Sequence, residues 1–204
     1  MKKIVAAAAF AACLATPALA QDQEKKPFNG PFIGGVLGYD NARNHIPDGP
    51  SITNDGLLYG GNIGYDANLG GAIIGVEGEY TDSNTKYNAA NILAAGDSQT
   101  LRYDRDLYAG LRLGGQVSEN LALYAKGGYT NARLKNFYTT AAGTTLESSR
   151  NVEGYRLGAG VETTYRGLTG RLEYRYSNYG KIDPAFSNAE LERHQVAAVV
   201  GYRF

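Results

Sequence analysis

Cysteine is almost missing from the chain. Its one copy, Cys13, lies within the first twenty residues, so the rest can form no disulfide and offers no thiolate to a metal or a substrate. With His45 and His194 as the only imidazoles, no zinc site is expected. Charge of one sign is lacking too: 20 Lys and Arg stand against 20 Asp and Glu, so nothing attracts nucleic acid electrostatically. Beyond Ala20 no apolar run is long enough for a transmembrane helix, and tryptophan is absent. What is plentiful is glycine (27) and tyrosine (16), the composition of many short strands in a sandwich or barrel.

The N-terminus is organised for export. Lys2 and Lys3 make a positive start, Ile4 to Leu14 an apolar run too short to span a bilayer, and Ala18-Leu19-Ala20 a cleavage site, so residues 1–20 are expected to be a signal peptide. A lipoprotein reading would use Cys13 after Phe10-Ala11-Ala12, but Phe is a poor residue three positions before that cysteine. Cleavage after Ala20 leaves 184 residues with 18 basic and 20 acidic side chains. Residues 21–30, QDQEKKPFNG, show no periodicity and are expected to be a flexible lead-in to a single domain over 31–204.

The clearest structural signal is the stretch Leu157 to Tyr176. Leu157, Ala159, Val161 and Thr163 alternate with Arg156, Gly158, Gly160 and Glu162, and Leu172, Tyr174 and Tyr176 alternate with Arg171, Glu173 and Arg175. A strict two-residue period puts one apolar and one polar face on each strand, and only Tyr165 to Leu168 remains for the turn. The same alternation marks strands at about 32–41, 57–66, 71–83, 99–114, 121–138 and 191–204, with the hairpin strands extended from Leu146 to Tyr179. Eight strands result, joined alternately by short links (67–70, 115–120, 165–168) and long ones (42–56, 84–98, 139–145, 180–190). Every proline after residue 20 lies outside the strand centres, as a ladder that needs each N–H requires.

Periodicity does not say which face meets water: a soluble carrier turns the apolar face inward, a membrane barrel turns it to lipid. Export, the alternation of turns with loops, and tyrosines near strand ends (Tyr39, Tyr80, Tyr129, Tyr165, Tyr176, Tyr202) favour an eight-stranded antiparallel up-and-down transmembrane β-barrel. Its polar parity then faces a lumen just wide enough for side chains to fill. Glu77, Glu79, Arg102, Asp104, Asp106, Arg112, Lys126, Arg156, Glu162, Arg171, Glu173, Arg175 and Arg203 fall on that parity. A paired interior cluster is expected around Glu77, Arg112, Lys126, Glu162, Arg171 and Glu173, because an unpaired buried charge is costly.

Phe32 to Tyr39, Gly75 to Tyr80, Leu172 to Tyr176 and the terminal Val200-Gly-Tyr-Arg-Phe204 together resemble the outer-membrane β-barrel family of opacity-type porins and the OmpA transmembrane domain. The resemblance spans nearly all of residues 31–204. It implies location in the cell outer membrane, and a terminal strand signal, here Tyr202 and Phe204, read by the outer-membrane assembly machinery. It also implies a charged luminal gate at Glu77, Arg112, Glu162 and Arg171. The sequence stops at Phe204, so no peptidoglycan-binding domain and no cell-wall tether are expected.

Catalysis is not expected. His194 is followed by Gln195 and Val196 rather than by a serine at the spacing of the lipid A deacylases, and Ser177 or Ser187 would have to approach by folding. No cofactor or metal is expected. The reading is an integral outer-membrane barrel with an envelope-structural role and at most a narrow, porin-like conductance. The alternatives are a surface adhesin or ligand-binding barrel acting through its long loops, and a soluble lipocalin-like carrier. Expected partners are outer-membrane lipid and lipopolysaccharide, the assembly machinery and a surface ligand; nucleic acid is not among them.

Overall fold

The computed structural model describes residues 27–45, 52–92, 94–183 and 187–204. Residues 1–20, expected to be a signal peptide, and residues 21–26 lie outside the described residues, as do Pro47, Pro50 and Pro184. Nine antiparallel strands follow one another: β1 (Gly30–His45), β2 (Ile52–Asn68), β3 (Ala72–Ser83), β4 (Lys86–Ala90), β5 (Ser98–Ser118), β6 (Leu121–Thr139), β7 (Thr145–Tyr165), β8 (Leu168–Asp183) and β9 (Ser187–Arg203). Apart from β3 and β4, strands adjacent in sequence pair with each other; β1 pairs with β9 and β3 with β5, which closes the ring. The fold is an all-β, eight-stranded up-and-down barrel. The short β4 continues the path of β3 beyond a break at Asn84 and Thr85 and pairs with β5.

Closure leaves no free edge, so every backbone group of the span is satisfied within the sheet. The apolar parity points outward: Ile33, Leu37, Ile63, Val76, Leu111, Leu123, Leu157, Leu172 and Val200 are all exposed. Tyr155 and Tyr165, ten residues apart on β7, are both outward. At ~3.3 Å per residue and a tilt near 40° they stand about 25 Å apart along the membrane normal, the height of the lipid-facing band between aromatic girdles. The turn between β7 and β8 is Arg166-Gly167, with φ of 51° and 88°. Two positive φ values give the turn whose twist matches a right-handed hairpin, and glycine takes the second at no steric cost.

Three loops are shorter than the sequence suggests. β1 runs to His45 and β2 begins at Ile52, β4 occupies part of the 84–98 loop, and β9 starts at Ser187. Above the membrane both sheet faces are wet, so a paired strand there has no reason to alternate in hydropathy.

A second difference comes from a β-bulge in β5. The β5–β6 register steps between Tyr103 and Asp106, where Asp104 and Arg105 oppose the single Arg133, and the one extra residue inverts the alternation. Tyr103 is therefore buried and Leu101 packs beside it, whereas Arg102 is exposed and Asp104 half-buried in an ion pair with Lys135 (3.0 Å). Arg102 and Asp104 thus leave the luminal set to which simple alternation assigned them.

A candidate functional site in the barrel lumen

Each strand gives the lumen every second residue, and the sequence fills those positions with charge. Among the described residues, the buried acidic and basic side chains in the barrel are Asp40, Asp66, Glu77, Glu79, Asp106, Glu162 and Glu173 against Arg112, Lys126, Arg156, Arg171, Arg175, Arg193 and Arg203. Acids and bases balance, as they must where water cannot screen an excess.

The network is continuous from the periplasmic turns to the outer mouth. Near the turns, Arg203 Nη2 donates to Asp66 Oδ2 (2.7 Å) and Glu162 Oε1 (2.8 Å), while Arg112 reaches the same two carboxylates. At middle depth the Lys126 ammonium meets Glu77 (2.7 Å), Glu79 (2.5 Å) and Glu173 (2.8 Å), and Arg175 bonds Glu173 (2.6 Å). Arg171 ties these two levels together through Glu77 (2.6 Å) and Glu162 (3.3 Å). Arg156 joins Glu79 (3.1 Å) to Asp106 (2.5 Å), and Arg193 joins Asp106 (3.1 Å) to Asp40 (2.5 Å).

Glu173, Lys126, Glu77, Arg171, Glu162 and Arg112, the six residues singled out from the sequence, stand in that order along one unbroken chain of ion pairs. Sequence reading missed Asp40, Asp66 and Arg193. Their signal was present: Asp40 shares the parity of Phe32 and Val36, opposite Ile33, Leu37 and Tyr39, and Arg193 opposes Val196 and Val200.

Aromatic rings lie among the cations. Arg171 stands 4.2 Å from the centroid of Phe32, with Arg203 at 5.0 Å, and Arg112 stacks 3.8 Å from Tyr124. Each such contact contributes about 1–2 kcal/mol where water is excluded.

Apolar layers close both ends. Toward the outer mouth Tyr103, Leu134, Val152, Tyr179 and Leu191 pack together, and the Tyr179 hydroxyl donates to Asp106 (2.6 Å). Toward the periplasm Phe28 is fully buried against Ile73 and Ala122. It is held by Asn68, whose Nδ2 donates to the Pro27 carbonyl (2.7 Å) and whose N–H donates to Asn29 Oδ1 (3.1 Å). The end of the lead-in thus folds under the barrel.

Outside the barrel, His194 shares a 2.6 Å hydrogen bond with the Tyr174 hydroxyl and packs 5.1 Å from the Tyr176 ring. Ser177 lies on the other face of the sheet, where Arg156 Nε donates to its hydroxyl (2.8 Å), so the wall of the barrel separates it from His194. Glu77, Glu79 and Glu173 are the one group among the described residues close enough to share a metal ion, and Lys126 already stands among them. Tyr202 and Phe204 pack edge to face at 5.1 Å on the outer surface.

The family model for the outer membrane protein beta-barrel domain matches residues 6–204. The chain belongs to that family. It is an outer-membrane β-barrel protein, and its apolar face is turned to lipid. Among solved structures it is similar to Ail, the attachment invasion locus protein of Yersinia pestis, crystallised with the heparin analogue sucrose octasulfate (19% identity, TM-score 0.52, 86% of this chain and 99% of that one). It is likewise similar to Neisserial surface protein A (14% identity, TM-score 0.52, 86% and 97%). At these identities the likeness concerns the fold alone. No curated protein matches the chain in sequence.

Proposed function

We propose that the protein is a structural barrel of the outer membrane, closed at rest, whose lumen passes small ions at most intermittently. The observation that carries this reading is a charge-balanced network occupying the lumen between two apolar plugs. An open pore needs a water-filled path, whereas Arg112, Arg156, Arg175 and Arg193 are all wholly inaccessible. Opening requires ion pairs to be exchanged, and Arg171, which bridges Glu77 and Glu162, is the residue best placed to gate it. Tyr202 and Phe204 serve in this reading as the recognition signal for assembly.

Conductance in planar bilayers tests it. The native barrel is expected to give small, infrequent openings, and Arg171→Ala to change their size or frequency. A large steady current from the native protein would overturn the closed-scaffold reading, and an unaltered current from the variant would remove Arg171 from the gate.

A second reading, surface binding, has its own support. β5, β6 and β7 continue well past the outer aromatic girdle, and β4 carries the path of β3 up beside them. Ail carries a sulfated ligand in its solved structure. Removing residues 140–144 and closing the β6–β7 hairpin with a tight turn would abolish cell-surface adhesion on this reading and leave the heat-shifted mobility of the barrel on SDS gels intact.

A further inference from the structure

Gly34 on β1 and Gly201 on β9 are partners in the ladder, and beside them lies a cavity of about 10 Å³. That is the space one water molecule fills. Apolar Phe32 and Val199 bound it, and its polar lining is Asn62, Thr169 and Arg171; all five side chains are buried. A Cβ at Gly34 would stand 2.7 Å from Asn62 Oδ1 and 3.0 Å from Val199 Cγ1. Gly34 has no positive φ, so its backbone does not call for glycine. What the missing side chain provides is the space in front of Asn62.

Two of the groups that line this space have no hydrogen-bond partner among the described residues, Asn62 Oδ1 and Arg171 Nε. Arg171 Nε comes within 3.3 Å of Glu162 Oε2, but the contact is not aligned as a hydrogen bond, and that oxygen already accepts from Arg112. The Asn62 amide is oriented from its other side. Its Nδ2 donates to Glu77 Oε2 (3.3 Å), and turning it over would set Oδ1 against a carboxylate. The Thr169 hydroxyl, the third polar wall, makes one long bond of 3.5 Å to the Gly167 carbonyl.

Leaving a buried donor and a buried acceptor unmet is costly, and one small molecule between them answers both. It has to accept from a guanidinium N–H and donate to an amide oxygen. A halide cannot donate, and a metal ion would face the Arg171 charge. We propose that one bound water occupies this cavity, accepting from Arg171 Nε and donating to Asn62 Oδ1, and that it positions Arg171. The water closes a ring. Arg171 Nη1 donates to Glu77 Oε2 (2.6 Å), Asn62 Nδ2 donates to the same oxygen, and the water joins the remaining ends of the two side chains. Arg171 is thereby held toward Glu77, with its Nε turned from Glu162. Asn62, a neutral residue, becomes a positioning residue for the gate. That role rests on the reading of Arg171 as the gate, whereas the water site does not. One enclosed molecule is not a conducting path, so the lumen stays closed.

Nuclear magnetic resonance of the full barrel in phosphatidylcholine nanodiscs, with arginine labelled by nitrogen-15, tests the site. The Arg171 Nε–H signal is identified by its loss in Arg171→Lys. In the native protein it should show a cross-peak to water with the sign of dipolar contact rather than of proton exchange. Gly34→Ala fills the cavity and should abolish the peak, and Asn62→Leu, which removes the acceptor, should do the same. Heat-shifted mobility on SDS gels checks that each variant is folded, and either one alone suffices. In planar bilayers both should open about fivefold more often than the native barrel, the worth of one hydrogen bond. A native protein without the dipolar peak overturns the proposal. A peak that survives in folded Gly34→Ala overturns this cavity as its seat, and a lost peak with unchanged opening frequency overturns the positioning role. If Arg171→Ala leaves the current unaltered while the native peak is present, the gate reading falls and the water site stands.

Discussion

Arg193 on the last strand clasps Asp40 on the first, with Nε at 3.1 Å from Oδ1 and Nη2 at 2.5 Å from Oδ2, across the seam where the ring closes. The same carboxylate also accepts from Gln195 Nε2 (3.0 Å), Ser83 Oγ (2.7 Å) and Thr85 Oγ1 (3.1 Å), so one aspartate collects donors from β9, from β3 and from the break that follows it. Asp40→Ala leaves the Arg193 guanidinium buried with half its partners. The expected loss is about 3–5 kcal/mol, the usual result of stripping one member from a buried pair. Urea unfolding of the vesicle-embedded barrel, followed by tyrosine emission because the chain has no tryptophan, reads that loss as a lower midpoint. An unchanged midpoint would mean that the seam is held by its backbone ladder alone.

Phe28 carries an unusual combination, complete burial with a φ of 61°. The left-handed region costs a non-glycine residue roughly 1 kcal/mol, so packing must outweigh backbone strain there. Phe28→Ala should destabilise the barrel by about 3 kcal/mol through the cavity it opens beside Ile73 and Ala122. Phe28→Gly removes the same ring and also the strain, so it should be less harmful than alanine by about 1 kcal/mol. The reverse order would show that the turn at 27–29 is not fixed by the ring. Either variant opens the periplasmic end and should raise the frequency of openings in planar bilayers.

The barrel was legible where lipid and lumen impose opposite demands on alternate residues. Leu157 to Tyr176 is such a stretch, and the structure gives β7 and β8 there with the turn at Arg166-Gly167. Legibility ended where the membrane ends: Lys86 to Ala90 pairs with β5 in water, so its pattern carries no trace of a face. The bulge was invisible for a related reason, since one extra residue between Tyr103 and Asp106 changes which parity is inside without changing composition. In the lumen, parity showed that Glu77, Glu79, Arg171, Glu173 and Arg175 share one face, but not their partners. Arg156 on β7 meets Asp106 on β5 and Glu79 on β3, strands that are not its neighbours in the sheet. Such contacts depend on how far side chains reach across the lumen, which no pairwise ladder encodes.

The bulge makes a prediction of its own. Deleting Asp104 and Arg105 together removes the one extra residue of the bulge and one residue more, so everything from Ser98 to Tyr103 must then exchange faces or slip by one pairing. Tyr103 and Leu101 would leave the apolar cluster beneath the outer mouth, and Arg102 would turn toward it. The span below, from Leu107 to Val117, keeps its register. The deletion variant should therefore retain its heat-shifted mobility on SDS gels while becoming sensitive to protease between residues 86 and 104. Native-like resistance of that segment would show that the bulge is incidental to how the outer end packs.

Beyond the span, Asp97 ties the β4–β5 connection together. Its carboxylate accepts from the Ile92 N–H (2.7 Å), the Ala94 N–H (2.8 Å) and the Tyr138 hydroxyl (2.8 Å). The Tyr138 phenol is held above its ordinary value of 10.0, first because ionising it breaks the hydrogen bond to Asp97 and then because a phenolate would face that carboxylate. The sign follows from linkage: a raised folded pKa means that the tie is fully present below pH about 10 and is lost as pH rises through the folded value. Tyrosinate absorbance, taken as the difference between the native protein and Tyr138→Phe, should show this group ionising later than a free tyrosine. Asp97→Asn should bring it back toward the ordinary value and should speed amide exchange at Ile92 and Ala94, because a neutral amide accepts more weakly than a carboxylate. A difference spectrum centred at the free value in the native protein would mean that Tyr138 does not close this loop in solution.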